Sequence, residues 1–385
     1  MEKKIRVLHA ITRLDRGGSS ENTLLSVIGL AERGYSVDLL FGRTETPNLR
    51  LLEKAENAGV EFIEEEDLVR DIHPFKDLLA FLNIRYFLKR KDYDIVHAHS
   101  SKAGLICRFA ARSVGIKHII YTPHGHVFYG YFGRFLSRLI VFSEAITARI
   151  TDKIVGLTQS ECDEWLERGV GKKDQYLVIP SGVEFDMMEK EASARRYWKE
   201  EMRISEDKIL VGAVGRFIKI KGFEYFIEAG IEQIKKRDDI CFLLAGDGPL
   251  REKYEDMISS SGVGDRFRII GWQEITAAMI EALDIFVLSS LNEGMGRVLI
   301  EAMYFAKPVI ATRVGGVPSV VSGNAGLLVE PSSSLAILDA INKLLGDMQA
   351  SREMGVKGRK KAIAEYSYEY MIEKLDDMYK ELLGA

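Results

Sequence analysis

Short runs of Val, Ile and Leu recur along this chain, and longer amphipathic stretches separate them. Such short apolar runs are typical of strands that are buried on both faces of a sheet. The stretches between them are long enough for a crossover helix, and in residues 222–236 the apolar side chains recur at helical spacing. Repeated βα units predict an α/β fold with parallel sheets covered by helices. The predicted strands are 5–11, 37–41, 95–97, 118–121, 154–157, 177–179, 209–214, 241–245, 267–270, 285–288, 309–312 and 326–329.

A strand followed by a glycine-containing loop occurs twice, at 5–18 and again at 209–222. Between them, the charged stretch 184–208 has no strand pattern and is expected to connect two domains. We predict two doubly wound, Rossmann-like domains that face each other across a cleft. In such sheets, ligands bind outside the carboxyl ends of the strands. The predicted divisions are 1–185 for the first domain, 186–365 for the second and 366–385 for a segment with a C-terminal amphipathic helix.

Composition excludes several classes of protein. The chain has 385 residues and a formal net charge of -4, so a generally basic nucleic-acid binder is excluded. No apolar run reaches the roughly 20 residues that a membrane-spanning helix needs. The three cysteines, Cys107, Cys162 and Cys241, lack metal-ligand spacing, which favours a reduced cytoplasmic compartment. The apolar residues near the N-terminus are expected to form a buried strand rather than a signal peptide.

The most informative motif, Asn-Glu-Gly-Met-Gly-Arg, follows the predicted strand 285–288. Gly294 and Gly296 keep this loop free of side chains, so backbone N–H groups can approach a ligand. The start of the next helix favours an anion. Glu293 in the loop and Glu301 in the helix could accept hydrogen bonds from the hydroxyls of a sugar or ribose. The alternative is a solvated acidic loop followed by a surface helix.

A basic loop, 215–222, directly follows the predicted strand 209–214. Arg216 offers a planar fork and Lys221 a point charge, and both suit a diphosphate. The loop is not a P-loop, because the Gly-Lys-Ser/Thr ending is absent. The alternative is a pair of basic residues on the surface.

The first domain carries two further candidates. Gly17 and Gly18 follow the first strand without the G-x-G-x-x-G spacing of a dinucleotide site. A Gly-Gly turn before a helix can bring backbone amides to a phosphate, and a plain tight turn is the alternative. Strand ends in this domain also carry histidines, which suit hydrogen bonds to substrate or backbone better than a metal, because no Cys or carboxylate lies close in sequence. These histidines are His97, His99, His124 and His126.

Residues 101–150 depart from neutral charge. This segment contains one acid, Glu144, and seven basic residues, with aromatic residues interleaved. A basic, aromatic element suits an anionic membrane face or a lipid-diphosphate substrate. A core helix with solvated arginines is an equal alternative. The basic residues are Lys102, Arg108, Arg112, Lys117, Arg134, Arg138 and Arg149.

Together, these motifs resemble the retaining GT-B glycosyltransferases of family GT4. The pieces that carry the resemblance are EGMG followed by Glu301, GRFIKIKG, the Gly-Gly loop, PHGH, LTQSE, VIPSGVE, AGDGP, ATRVGGVP and GNAGLLVEP. They extend in the expected order from the Gly-Gly loop to Pro331. The departures are Met295, where an aromatic residue is common, and Ser319, where an acid is common. The family implies a nucleotide-sugar donor bound mainly by the second domain, an acceptor bound by the first, and a C-terminal helix that crosses back to the first domain.

The resemblance also implies roles for single residues. Glu301 would bind the ribose hydroxyls, and Glu293 the donor sugar. Arg216 and Lys221 would hold the diphosphate and stabilise the charge that grows on it. The resemblance places His124 against the donor sugar near the reacting centre. The donor-binding set is Gly17, Gly18, Arg216, Lys221, Glu293, Gly294, Met295, Gly296 and Glu301, and the catalytic set is His124, Arg216, Lys221 and Glu293.

The family mechanism is thought to retain configuration on one face of the sugar, with no metal or other cofactor. The segment PHGHVFYGYF looks most like enzymes that build bacterial capsule, exopolysaccharide or O-antigen chains. The expected partners are a nucleotide-sugar donor, with UDP the expected carrier, and a glycan or polyprenyl-diphosphate-linked acceptor. The enzyme would act in the cytoplasm, with peripheral attachment to the inner membrane face. The alternatives are a sugar-nucleotide epimerase on a GT-B scaffold and a non-catalytic sugar-nucleotide-binding protein.

Overall fold

The computed structural model of the chain describes residues 4–125, 133–194, 198–271 and 277–384. It divides into two compact units, one formed by Met1–Gly182 with Tyr368–Ala385 and the other by Val183–Ser367. We call them the first and the second domain. The C-terminal helix is therefore part of the first domain, and the expected limits at 185 and 365 lie within three residues of those in the structure.

The first domain is built on a sheet of seven strands in the order β3-β2-β1-β4-β5-β6-β7. All neighbouring strands in it are parallel. The strands are β1 (Arg6–Ile11), β2 (Ser36–Phe41), β3 (Glu61–Glu64), β4 (Ile95–His99), β5 (His118–Thr122), β6 (Lys153–Gly156) and β7 (Tyr176–Val178). The helices are α1 (Gly18–Glu32), α2 (Leu49–Asn57), α3 (Pro74–Arg90), α4 (Ser101–Ser113), α5 (Arg134–Ala148), α6 (Gln159–Glu167) and, at the C-terminus, α16 (Tyr368–Leu383).

Alternation along β1 divides the core of the first domain into two layers. Val7 and Ile11 pack in one cluster with residues of α1, α2 and α16. Leu8 and Ala10 pack on the other face with residues of α3, α4 and α6. Because successive strand side chains point to opposite faces, His9 lies on the α1 and α16 face.

Strand β3 was missed by the sequence prediction. Its four residues, Glu-Phe-Ile-Glu, lie at the edge of the sheet, and both glutamates are exposed. An edge strand with charged ends has no continuous apolar run. The buried-strand pattern that identified the other strands is therefore absent here.

The second domain has a six-stranded parallel sheet in the order β10-β9-β8-β11-β12-β13. Its strands are β8 (Ile209–Val214), β9 (Ile240–Ala245), β10 (Phe267–Ile270), β11 (Ile285–Leu288), β12 (Val309–Thr312) and β13 (Leu327–Val329). Its helices are α7 (Phe185–Ala194), α8 (Trp198–Glu201), α9 (Phe223–Lys236), α10 (Arg251–Ser259), α11 (Ala277–Ala282), α12 (Arg297–Tyr304), α13 (Val317–Val320), α14 (Ser334–Gly346) and α15 (Met348–Tyr366).

The charged stretch 184–208 is part of the second domain rather than a separate connection. The Phe185 ring at the start of α7 stacks on Tyr304, with ring centroids 4.2 Å apart. Trp198, the first residue of α8, is buried. These apolar contacts were hidden in the sequence because single aromatic residues lie among many charges.

Both strand orders reverse at the first strand of the domain, between β1 and β4 in one sheet and between β8 and β11 in the other. Ligands of doubly wound sheets bind at this switch point. The glycine loops singled out in the sequence follow β1, β8 and β11. Within the described residues, no helix has both the length and the apolar character that crossing a bilayer requires.

Candidate functional site

A buried aromatic ring and a backbone hydrogen bond fix the position of the loop after β8. Phe217 is fully buried, and its N–H donates to the Asp247 carbonyl across 2.8 Å. Gly222 has a φ of 59°, and an added Cβ would lie 2.4 Å from the Ser289 carbonyl oxygen. The loop after β8 thus needs glycine at this position to lie against the loop after β11.

Hydrogen bonds join these two loops directly. Leu291 N–H donates to the Ile220 carbonyl across 2.7 Å. Ser289 Oγ donates to the Lys221 carbonyl across 3.0 Å. The two sequence motifs of the second domain therefore form one structural unit at the switch point.

Two of the four charged residues predicted to meet the donor form an ion pair with each other. Lys221 Nζ lies 2.7 Å from Glu293 Oε2, which also accepts a 3.0 Å hydrogen bond from Ser290 Oγ. Both charged side chains keep about a fifth of their surface exposed, 23% and 17%. Arg216 lies exposed on the same loop, with no ion-pair partner among the described residues. Its charge is available to an anion, whereas that of Lys221 is balanced by Glu293.

Helix α12 begins directly after the Gly-Met-Gly sequence, and Gly296 precedes it with a φ of 79°. Glu301 lies in the second turn, where its Oε1 is 3.4 Å from Arg297 Nε. The Met295 side chain is buried, with 3% of its surface exposed. Met295 can therefore offer a ligand its backbone but not its side chain.

In the first domain, Gly17 and Gly18 lie at the exposed start of α1. No side chain caps this helix start, so its first N–H groups are suited to an anion. A Cβ at Gly18 would meet no atom within 4 Å. Packing therefore does not require glycine at position 18. A ligand that approaches the backbone would explain why a side chain is absent there.

The histidines of the first domain form a buried chain of side chains that we call the histidine chain. Hydrogen bonds of 2.7–3.1 Å connect its members end to end. The order is Thr122, His97, Tyr379, His9, His99, His124. His97 and His99 were singled out in the sequence and are brought together with His124. His126 lies outside the described residues.

Burial keeps these imidazoles neutral. It lowers the pKa of His9 and of His124 to about 3. Burial, assisted by repulsion from neighbouring histidines, lowers the pKa of His97 and of His99 well below 6.5. At neutral pH, each ring therefore has one N–H donor and one bare nitrogen acceptor.

The same histidines include a group that could hold a metal, since ligand atoms of His9, His97 and His99 lie within 4.8 Å of one another. Both ring nitrogens of each residue already have a hydrogen-bond partner. The rings of His97 and His99 stack, with centroids 4.3 Å apart. Stacked rings whose nitrogens are paired fit a hydrogen-bonded chain better than a tetrahedral metal site.

His124 itself lies in a constrained loop. Its φ is 60°, a conformation that is uncommon for residues other than glycine. The next residue, Gly125, donates its N–H to Glu161 Oε1 across 2.9 Å, and burial raises the pKa of Glu161 to about 7. Nδ1 of His124 is buried and has no protein partner among the described residues.

Sequence reasoning missed His9, Tyr379 and the hydrogen bond between Glu161 and Gly125. A histidine inside an otherwise apolar strand was the available signal for His9. Tyr379 gave none, because it lies 282 residues from His97 and fits the apolar face of its helix.

The basic residues of segment 101–150 differ in burial. Arg108 is fully buried, pairs with Glu144, and lies 3.8 Å above the Tyr121 ring. It is therefore a core residue and contributes no surface charge. Arg112, Arg138 and Arg149 are exposed, and residues 126–132 lie outside the described part of the chain.

Two family models match the chain over consecutive regions. Glycosyltransferase Family 4 matches residues 16–186, and Glycosyl transferases group 1 matches residues 194–361. Together with the two parallel-sheet domains, these matches show that the chain belongs to the group 1 glycosyltransferases of family GT4 and has the GT-B fold. It is a glycosyltransferase.

Named relatives and solved structures agree with this class. The chain is 26% identical to UDP-Gal:alpha-D-GlcNAc-diphosphoundecaprenol alpha-1,3-galactosyltransferase of Escherichia coli over 82% of each chain. It is 27% identical to the capsular polysaccharide glycosyltransferase CapM of Staphylococcus aureus, over 82% of this chain and 83% of CapM. Its fold matches Anabaena HepE, solved with UDP, at a TM-score of 0.82 and 17% identity, over 98% of this chain and all of that one.

Proposed function

We propose that this glycosyltransferase moves a sugar, with retention of configuration, from a UDP-sugar to a glycan or polyprenyl-diphosphate-linked acceptor in bacterial surface polysaccharide synthesis. The observation that carries the proposal is the joining of two loops at the switch point of the second domain. They bring together Lys221 and Glu293, with Glu301 in the helix that follows. The relatives in Escherichia coli and Staphylococcus aureus motivate the substrate class.

The proposed chemistry uses groups of known charge. The leaving diphosphate gains negative charge as its bond to the sugar breaks. Nearby cations lower the energy of that transition state. Arg216 has no ion-pair partner among the described residues and can meet this charge directly. Lys221 is already paired with Glu293 at 2.7 Å, so the pair would keep Glu293 oriented toward hydroxyls of the sugar. In this proposal, Glu301 accepts from the ribose hydroxyls.

Nucleotide binding is the first test. Calorimetric titration with UDP, GDP and ADP should show a preference for UDP. Glu301→Ala should weaken UDP binding about tenfold or more, since a hydrogen bond to a charged group contributes about 1.5–3 kcal/mol. Glu228→Ala, at an exposed position of α9, is the matched control and should bind UDP normally. Equal affinity in both variants would contradict the assignment of Glu301.

Catalysis is tested separately. Lys221→Ala should lower kcat by about a hundredfold, because it removes both the partner that orients Glu293 toward the sugar and a cation of the site. An unchanged kcat would exclude Lys221 from the reaction. An α-configured product from an α-linked donor, read by NMR, supports retention, and an inverted product contradicts it. Full activity with excess chelator is expected, because we propose no metal or other cofactor.

The alternatives give different products. An epimerase would convert a UDP-sugar to its isomer without an acceptor, and this is visible by NMR. A non-catalytic binding protein would bind the donor tightly and transfer nothing across a broad set of acceptors. Neither has a structural observation that favours it over transfer.

We also propose that the first domain attaches to the anionic inner face of the membrane. Helices α3 and α5 each expose an apolar stripe, with Phe75, Leu82, Phe135 and Phe142 all between 47% and 77% exposed. The exposed charges described on α3, α4 and α5 are basic apart from Asp77, which pairs with Lys102. An apolar stripe with basic neighbours suits an anionic lipid surface.

Vesicle binding tests this attachment. The enzyme should bind anionic vesicles more tightly than neutral ones, and salt should weaken the binding. Arg138→Glu should reduce it, whereas Lys253→Glu, at an exposed position of α10 in the second domain, should not. Equal binding to neutral and anionic vesicles at low salt would contradict the proposal.

A further inference from the structure

The side chains of the histidine chain are coupled by continuous hydrogen bonds. Five hydrogen bonds connect six buried or partly buried side chains in one row: 2.8 Å for Thr122–His97, 2.7 Å for His97–Tyr379, 3.1 Å for Tyr379–His9, 2.8 Å for His9–His99 and 2.9 Å for His99–His124. All six residues belong to the first domain. Each hydrogen bond holds one proton, and each neutral imidazole supplies one.

These connections force all four histidines into the same tautomer. In every ring, Nε2 faces the Thr122 end of the chain and Nδ1 faces the other end. If one ring donates from Nδ1, its neighbour must accept at Nε2 and donate from Nδ1 in turn. Tyr379 transmits the direction, because it is fully buried and has one hydroxyl proton. Accepting from both sides would leave that proton without a partner among the described residues.

The two ends of the chain decide its direction. Thr122 is 2% exposed, and its hydroxyl has only His97 Nε2 as a described partner. If Thr122 donates, every proton from Thr122 to His99 has an acceptor, and the one proton left over lies on His124 Nδ1, where a bound ligand can accept it. If it accepts, its own proton has no acceptor among the residues that the structure describes. That direction would need a water in the cavity of about 10 Å³ that His97, His99 and Thr122 line.

We propose that Tyr379, His9, His97 and His99 are positioning residues that hold His124 as the neutral Nδ1–H tautomer, which donates to an oxygen atom of the donor sugar. This inference rests on the proposed function. Nδ1 of His124 is the end of the chain that has no described protein partner. A buried N–H without an acceptor is unfavourable, and a bound oxygen atom removes this cost. The lowered pKa of all four imidazoles keeps them neutral near pH 7.

The first experiment needs no substrate. Long-range ¹H–¹⁵N NMR spectra of the ligand-free enzyme, labelled at its seven histidines, report the tautomer of each ring. We expect His9, His97, His99 and His124 all to be neutral Nδ1–H tautomers. Different tautomers within this set would overturn the coupling, and a uniform Nε2–H set would overturn its direction.

Two variants test the role of the hydroxyl in the middle of the chain. Tyr379→Phe removes the connection between His97 and His9, so the tautomers of His9 and His124 should become mixed. The KM for the UDP-sugar should rise about tenfold, the effect of losing one hydrogen bond of about 1.4 kcal/mol. Tyr35→Phe is the matched control, because Tyr35 packs on Tyr379 at 5.8 Å but donates to Asp376. It should leave the tautomers and the KM unchanged.

The outcomes separate the two proposals. A uniform tautomer set that Tyr379→Phe disrupts without changing KM would overturn the role in sugar binding. Sugar transfer by an enzyme with unequal tautomers would overturn the histidine chain as a positioning device and leave the proposed function standing. A uniform tautomer set in a protein that binds no nucleotide sugar would overturn the proposed function and leave the coupling intact.

Discussion

The two domains share one architecture but place opposite chemistry at the same topological point. In the second domain, the switch point holds a partly exposed ion pair, Lys221 with Glu293. In the first domain, the side chains at the switch point are neutral histidines, and His9, His97 and His99 are at most 1% exposed. A charged pair near solvent suits the recognition of a charged ligand. A buried neutral row suits the precise orientation of one hydrogen-bonding group. The strand order fixes where a site forms, and the side chains on those strands decide its chemistry.

The largest expected difference between the two domains is in how their stability responds to acid. A buried histidine with a lowered pKa contributes stability that is complete above its unfolded pKa, about 6.5, and is lost as pH falls towards its folded pKa. For His9 and His124 the folded pKa is about 3. Each such histidine lowers the free energy of unfolding by about 1.4 kcal/mol for each pH unit below about 6.5. Hydrogen exchange followed by mass spectrometry between pH 6.5 and 5 should therefore show protection falling faster in the first domain.

A single variant sharpens this comparison. His99→Gln should reduce the pH slope of the first domain by about one proton. Equal pH slopes in both domains of the unmodified enzyme would show that the buried histidines do not resist protonation.

The second comparison concerns ion pairs. Arg108 and Glu144 in the first domain are 0% and 2% exposed, whereas Lys221 and Glu293 in the second are 23% and 17% exposed. Arg108→Met should lower the free energy of unfolding by about 3–5 kcal/mol, because it leaves a buried carboxylate unpaired. Lys221→Met should cost about 1 kcal/mol or less, since solvent reaches its partner. Urea unfolding measures both, and a cost for Arg108→Met as small as that of Lys221→Met would contradict the buried pairing.

The third comparison concerns the glycine loops. Gly222→Ala should cost about 1–3 kcal/mol in folding, because its φ of 59° and its 2.4 Å approach to the Ser289 carbonyl leave no room for a Cβ. Gly18→Ala, with open space around it, should change stability by about 0.5 kcal/mol or less and should raise the KM for the donor. Thermal unfolding and initial rates measure the two effects. A large loss of stability in Gly18→Ala would show that the fold itself requires this glycine.

Much of the fold could be predicted because its signals are local. All twelve strands predicted from apolar runs are present, with ends shifted by two residues or fewer. Edge strand β3 and the packing of Phe185 on Tyr304 could not be predicted, because neither produces a continuous apolar pattern. For the site, the loops could be predicted from glycine and charge next to strand ends. The ion pair between Lys221 and Glu293 joins residues 72 positions apart, so it depends on β8 and β11 being neighbours.

The sequence by itself determined that this chain forms parallel α/β domains and which loops follow their strands, because apolar periodicity and glycine act over a few residues. Only the tertiary structure decided which of the charged and titratable groups lose contact with water. Arg108 and Arg112 are four positions apart on one helix, and one is buried while the other is exposed. His9 and Tyr379 meet, although 370 residues separate them, because the C-terminal helix packs on the face of β1. Burial depends on all neighbours in space, and it sets the charge and hydrogen-bonding state of each group.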